Sequence, residues 1–358
     1  MTVYDRMPSV GRKLLMAGRG GLNLTHSEPL DRFLERYGPA RGALASAIEA
    51  FGPEALRAWC SDLGQETFVG SSGRVLPRAM KASPLLRAWL RRLSSSGVAF
   101  RPSHRWIGWG GDGALRFETP TGEIEVRPDV TLLALGGASW PRLGSDGGWA
   151  AILRARGIEV TPLRPANGGV CCAWSEVFRS RFAGEPLKRI AVSISGVSVR
   201  GEAMITDDGL EGGAIYALSR EIRAALDRDG VAELAIDLRP DLDGATVQRA
   251  MGGSGVSRAN AYRRAGLSPA AAGLVRDVGG EPKLAVVRVT ALRPIERAIS
   301  TAGGVALDEI NAAFMLQAIP GTFVAGEMLD WEAPTGGYLL QGCFSTGLAA
   351  AGEMETFI

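Results

Sequence analysis

The residues best suited to chemistry lie in one stretch, from Gly11 through Arg12, Lys13, Gly18, Arg19, Gly20, Gly21, Asn23, Thr25 and His26 to Glu28. Four glycines and three fixed cations fall within the eleven positions from Gly11 to Gly21. Glycine lets the backbone take positive φ and lets another group approach closely. Successive backbone N–H groups in such a loop form a concave anion site. Arg12, Lys13 and Arg19 add charge-assisted donors for a phosphate or a polarised ring carbonyl. Just upstream, Thr2-Val3-Tyr4 ends at Asp5. A strand, then an acid, then a glycine-rich basic loop is the order in which a dinucleotide fold meets a ribose and a pyrophosphate. A surface loop with ordinary turn glycines has a similar composition, so the weight falls on what other stretches bring to this one.

Two others do so. Val130-Thr131-Leu132-Leu133-Ala134-Leu135 is a continuous apolar run, the pattern of a buried parallel strand, and it ends in Gly136-Gly137-Ala138-Ser139-Trp140-Pro141. Near the end of the chain, Phe323-Val324-Ala325 leads to Gly326-Glu327, an acid follows at Asp330, and Thr335-Gly336-Gly337-Tyr338-Leu339 opens the last helix. The N–H groups at such a helix start face an acceptor or a developing negative charge. Open α/β sheets bind ligands where their strands end. His26, one of only two histidines, is the expected general acid, against the alternative of a residue that caps its loop. Cys343 reads as an acid or, preferably, as a small packing residue. The four cysteines form no C-x-x-C pair, which argues against a dithiol relay, a disulfide framework or a zinc site, and no metal is expected.

The elements that must position these residues follow from periodicity and punctuation. Apolar residues at helical spacing predict helices across 29–60, broken at Pro39 and Pro53. A short hairpin or loop is expected over Thr67–Val75, then a helix capped by Ser83-Pro84, then strands from Val98 to Val126. Ser145-Asp146 is expected to cap a helix reaching Arg156. Short β-like runs from Thr161 to Ile236, an Ala- and Arg-rich helical piece over 244–277 and a strand at Val286–Val289 predict an inserted region. The expected organisation is 1–159, an insertion at 160–297, and 298–358. At 358 residues, 46% hydrophobic and 22% charged, the chain has the composition of a globular protein, and its net charge of +2 selects no partner. No run reaches the ~18 apolar residues of a membrane span, and a reducing cytoplasm is expected. Between Thr67 and Gly111 there are eight cations, no acid, and Trp89, Trp106 and Trp109. That pattern fits an RNA surface, or, preferably, a solvated helix face over core tryptophans.

In its blocks Gly11-Arg12-Lys13, Gly20 to Thr25, Gly136 to Pro141, Thr301-Ala302-Gly303-Gly304-Val305, and Gly326-Glu327 through Gly337-Tyr338, the chain resembles the flavoprotein family that includes aminoacetone oxidase, a bile-acid dehydro-reductase and a ribosomal RNA dihydrouridine synthase. The resemblance implies an α/β, Rossmann-like FAD-binding domain split by an inserted β-rich and helical domain. It implies that Asp5 takes the adenosine ribose, and that Arg12, Lys13 and the loop through Gly20, Gly21, Asn23 and Thr25 lie along the pyrophosphate and flavin. Gly136 and Gly137 would pass the adenine side, and Gly326 and Glu327 are also expected among the cofactor-binding residues. Asp330 would reach the ribityl or phosphate region, and Gly336, Gly337, Tyr338 and Leu339 would cover the isoalloxazine. In this frame no G-x-G-x-x-G precedes Asp5, so the first strand and helix of the βαβ unit are expected to be missing. The expected activity is an FAD-dependent oxidoreductase passing a hydride through flavin N5, to or from a small molecule or nucleobase, with NAD(P)H as a possible donor. The alternatives are an RNA-binding or RNA-modifying protein acting through the 67–111 zone, and an inactive truncated flavoprotein.

Overall fold

The computed structural model describes residues 1–18, 21–252 and 256–357. The chain divides into two units, one formed by Met1–Arg164 with Ser300–Ile358, the other by Pro165–Ile299.

In the first unit, short apolar runs pair in parallel. Thr2–Asp5 runs beside Ala99–Pro102, with Val3 opposite Phe100 and Asp5 opposite Pro102. Thr131–Leu133 runs beside Thr322–Val324, with Leu133 opposite Val324. Thr322, Phe323 and Val324 are all buried, which is why this segment reads as continuous rather than alternating. The parallel register decides the site: the loops that follow Leu133 and Val324 leave the ladder at the same edge, and the Ala325 N–H extends that ladder onto the Leu133 carbonyl at 3.1 Å.

Around these pairs stand two antiparallel sheets. One joins Thr25–His26, Arg74–Pro77 and Thr67–Val69; the other joins Arg105–Trp109, Leu115–Thr119 and Gly122–Val126. The helices Leu30–Glu35 and Arg41–Ala50 bury Phe33, Leu44 and Ile48 in a core shared with Phe323, Trp331 and the start of the last helix, Tyr338–Phe357. A smaller core of Leu22, Leu24, Leu56, Cys60 and Leu85 anchors the end of the glycine-rich stretch. Leu22 and Leu24 alternate inward along an extended arm and leave Asn23 half-buried between them.

The second unit is a closed six-stranded barrel. Its order is Val170–Cys172, Gly209–Glu211, Val197–Thr206, Pro186–Ile194, Ala232–Asp237 and Ala285–Leu292, closing back on the first strand. Ile190, Val192, Ile194, Leu234, Ile236, Val287 and Val289 alternate into its interior with the period of two that a strand demands. Helices Ser219–Asp229, Gly244–Met251, Arg258–Arg264 and Pro269–Val278 accompany it.

Two expected helix starts are corrected. The helix after Ser145-Asp146 begins only at Trp149: Ser145 bonds Lys13, and Asp146 divides its carboxylate between Arg6 and the Gly148 N–H just before the helix. The helix expected at Ser83 begins at Ala82 with Lys81 before it and no side-chain cap. In the basic 67–111 zone, Arg78 pairs with Glu66 and Arg105 with Glu118, and Arg92 bonds the Asp62 carbonyl. Trp89 there packs edge-on against Trp59, and Trp106 against Trp109. Among the described residues no helix is long and apolar enough to cross a membrane, and no group of three or more His, Cys, Asp and Glu side chains could hold a metal.

Candidate functional site

Glu327 is where the separated stretches meet. Its Oε2 accepts from Lys13 Nζ at 2.6 Å and from the Gly137 N–H at 3.2 Å, and its Oε1 accepts from the Thr301 N–H at 2.9 Å. Lys13 Nζ also reaches Ser145 Oγ at 3.1 Å, and Thr301 Oγ1 accepts from the Ala138 N–H at 2.8 Å. The loops touch so closely that a Cβ added at Gly137 would stand 2.5 Å from Thr301 Cβ and 3.0 Å from the Glu327 carboxyl carbon. Gly136 is held by its carbonyl, which accepts the Trp149 indole N–H at 2.8 Å. Gly326, one residue before the acid, donates to Thr346 Oγ1 at 3.0 Å and accepts the Trp331 indole N–H at 2.8 Å, which pins it to the last helix.

The second cluster sits at the start of that same helix. Gly337, at φ +114°, lies against the Thr25 backbone, where an added Cβ would stand 2.5 Å from Thr25 Cα. Tyr338 donates its hydroxyl to Glu28 Oε1 at 2.6 Å, and its carbonyl accepts the Tyr37 hydroxyl at 2.7 Å. The His26 ring stacks on Tyr338 with centroids 5.4 Å apart. Its Nδ1 accepts the Glu28 N–H at 3.1 Å and its Nε2 lies 3.0 Å from the Ser72 carbonyl, so the bonds select the neutral ring with the proton on Nε2. Burial, and then the neighbouring Glu327 carboxylate, push the Cys343 thiol up to about 12, so it is a neutral packing group beside Gly326.

The remaining expected residues are spread around these clusters. Asp330 Oδ2 accepts the Thr161 hydroxyl at 2.6 Å. Arg12 Nε donates to Ser9 Oγ at 2.9 Å. Gly21 and Asn23 lie on the arm that runs to Thr25, Leu339 is half-buried in the first turn of the last helix, and Gly20, with Arg19, falls outside the described residues. Ser145, Thr301, Glu28, Arg36 and Thr161 are partners to which sequence reasoning gave no site role. Glu28 closes the chemistry-bearing stretch, Thr301 stands in a glycine-rich signature block and Ser145 is expected only as a helix cap, while Arg36 and Thr161 carry no signal.

Asp5 ends its strand with Oδ1 accepting the Met7 N–H at 2.8 Å. Burial raises its pKa, against the lowering effects of that bond and of Arg12 and Arg6. An acid whose folded pKa stands above its unfolded value holds its proton more tightly when folded. Its contribution favours folding at low pH and is lost as pH rises through the folded value. Asp5→Asn is therefore expected to leave the thermal midpoint at pH 7 unchanged or higher. Scanning calorimetry of the variant checks this.

The family model described as HI0933-like protein Rossmann domain matches residues 1–353. The 3-dehydro-bile acid delta(4,6)-reductase of Clostridium scindens is 24% identical, over 97% of this chain and 91% of its own length. Among solved structures, the chain is similar to the open conformation of a flavocytochrome c3 fumarate reductase, with a TM-score of 0.50 and 14% identity, covering 100% of this chain and 78% of that one. It is also similar to 3-ketosteroid-delta4-(5alpha)-dehydrogenase from Rhodococcus jostii RHA1, with a TM-score of 0.49 and 15% identity, covering 98% and 91%.

Proposed function

Because the chain belongs to the HI0933-like Rossmann family of FAD-dependent oxidoreductases, we propose that it binds one FAD where its glycine-rich turns meet, and that it moves a hydride between that cofactor and a small unsaturated or oxidisable substrate. The observation that carries this reading is convergence: Lys13, Gly137, Thr301 and Glu327 form one bonded cluster, and Thr25 and Gly337 touch at the head of the helix that also holds Gly326. Two buried hydroxyls in these loops, Thr25 Oγ1 and Ser139 Oγ, have no hydrogen-bond partner among the described residues. Buried hydroxyls are ordinarily paired, and a dinucleotide rich in hydroxyl and phosphate oxygens supplies partners for both. The residues therefore fit FAD.

Bound FAD supplies hydride transfer at flavin N5. Asp5 offers a carboxylate to the ribose, and Arg12 and Lys13 offer charge to the pyrophosphate. Glu327, oriented by two backbone N–H groups and Lys13, has acceptor capacity left for a cofactor hydroxyl. Gly136 and Gly137 bring backbone close without side-chain obstruction, and Asp330 is oriented toward its role by Thr161. The Gly336–Leu339 segment presents the start of the last helix, whose dipole favours negative charge on the ring edge. His26 is the proposed proton donor, and in that role its Nε2–H leaves the Ser72 carbonyl.

The name of the Clostridium scindens relative supports a ketone with conjugated double bonds as the substrate class. NAD(P)H is the proposed electron donor, and a reducing cytoplasm, in keeping with the four free cysteines, the proposed location. Anaerobic mixing tests this. The FAD-loaded protein should be bleached by NADH or NADPH and regain its visible absorbance on adding a cyclic conjugated enone. A bound flavin that neither nicotinamide reduces, and that no enone or nucleobase reoxidises once it is reduced chemically, would rule the proposal out.

A further inference from the structure

The Gly336–Gly337 turn has no side chains with which to hold itself in place, and both residues have positive φ, at +129° and +114°. What holds it is the next residue. Tyr338 is bonded at both ends: its hydroxyl to Glu28 at 2.6 Å, its carbonyl to Tyr37 at 2.7 Å. Its ring is enclosed by His26 at 5.4 Å, by Phe33 at 4.9 Å and by the Arg36 guanidinium at 5.8 Å. Glu28 is itself fixed. Arg36 donates to its two oxygens at 2.9 and 2.7 Å, and its backbone N–H is taken by His26. His26, Arg36 and Tyr338 thus all bond Glu28, and the His26 ring and Arg36 guanidinium also pack against the Tyr338 ring. The first bond inside the last helix runs from the Gln341 N–H to the Gly337 carbonyl at 3.0 Å, so the N–H groups of Tyr338, Leu339 and Leu340 have no acceptor within the helix.

We propose that Glu28 is a positioning residue for the flavin ring. Held by Arg36, it anchors Tyr338 and so aims the first turn of the last helix at the cofactor, without touching the cofactor itself. This rests on the FAD reading above. A bidentate Arg–carboxylate pair is directional, which is what an aiming device requires. The hydroxyl bond to Glu28 transmits that direction into the helix.

The test uses the full chain and its Glu28→Gln and Tyr338→Phe variants. FAD dissociation constants, the midpoint potential of the bound flavin and the thermal midpoint of the FAD-free protein are measured for each. Both variants are expected to bind FAD about tenfold more weakly, as for loss of one charge-assisted bond. Their flavin potential should move to more negative values, because misaimed N–H groups stabilise the anionic reduced ring less. Tyr338→Phe keeps the ring between His26 and Phe33 and carries the test if Glu28→Gln fails to fold. A purely structural role would lower the thermal midpoint and leave the potential of the bound flavin where it is in the wild type. That result, or wild-type affinity and potential in both variants, overturns the proposal. A wild-type chain that takes up no FAD overturns the reading on which it rests.

Discussion

Gly337→Ala is expected to abolish useful FAD uptake and to destabilise the protein by about 3 kcal/mol, from the summed costs of a left-handed alanine and an overpacked contact. The backbone at position 337 has φ +114°, a region that alanine adopts only under strain. The space is closed as well, since an added Cβ would stand 2.5 Å from Thr25 Cα. That neighbour is backbone and cannot rotate away. Either the turn or the Thr25–His26 strand must move, and the proposed site sets both against the cofactor. The strand is paired with Arg74–Pro77, so the turn is the part that yields. A displaced turn withdraws the helix start from the ring, and affinity is expected to fall at least about a hundredfold, the equivalent of nearly 3 kcal/mol. A binding titration and a urea melt of the variant measure the two effects separately. Wild-type affinity in a correctly folded variant would show that the cofactor does not lie against this turn.

The second large effect belongs to Glu327. Removing its side chain leaves the Lys13 ammonium and the N–H groups of Gly137 and Thr301 without their acceptor. Bonds to a charged group contribute about 1.5–3 kcal/mol each when buried. Here the Lys13 side chain is 29% exposed, so solvent screening lowers the share of that pair. Glu327→Ala is expected to cost about 2–3 kcal/mol in all, most of it from the two orphaned backbone donors. Glu327→Gln keeps an oxygen for those donors and loses the charge opposite Lys13, so it should fall between wild type and Ala. Adding Lys13→Met to Glu327→Ala should cost less than the two single losses summed, with a coupling of about 1 kcal/mol. FAD affinity should follow the same order, falling tenfold or more in Glu327→Ala. Additive behaviour of the pair would mean that the ammonium–carboxylate contact is a surface pair of no consequence.

The parts of the site that were legible in the sequence are those made of backbone. Glycine-rich turns at the ends of apolar runs announce themselves by composition, because only glycine allows loops to approach as Gly137 approaches Thr301 or Gly337 approaches Thr25. The α/β class and the inserted β-rich region were legible for a similar reason: continuous and alternating apolar runs carry different periods. The partners of those turns were not legible. Glu28 meets Tyr338 across almost the whole chain, and an acid three residues past a threonine gives no local sign of such a contact. Ser145 and Asp146 show the opposite failure. Locally they make a good helix cap, but Lys13 takes the Ser145 hydroxyl, Asp146 is shared between Arg6 and the Gly148 N–H, and the helix starts only at Trp149. Barrel closure, joining Val170–Cys172 to Ala285–Leu292, depends on long-range pairing that no window of sequence contains. His26 has both ring nitrogens bonded to the local fold, so the proton-donor role proposed for it requires its Nε2–H to leave the Ser72 carbonyl.

The account stands or falls on one titration. Purified full chain, freed of any bound nucleotide, is titrated with FAD and followed by flavin fluorescence and visible absorbance. A single equivalent should bind with a resolved flavin spectrum, and the affinity should collapse in Gly337→Ala and drop in Glu327→Ala. A chain that stays colourless at saturating FAD, or one that binds FAD equally well with both positions changed, would show that the shared edge of these turns is not a flavin site.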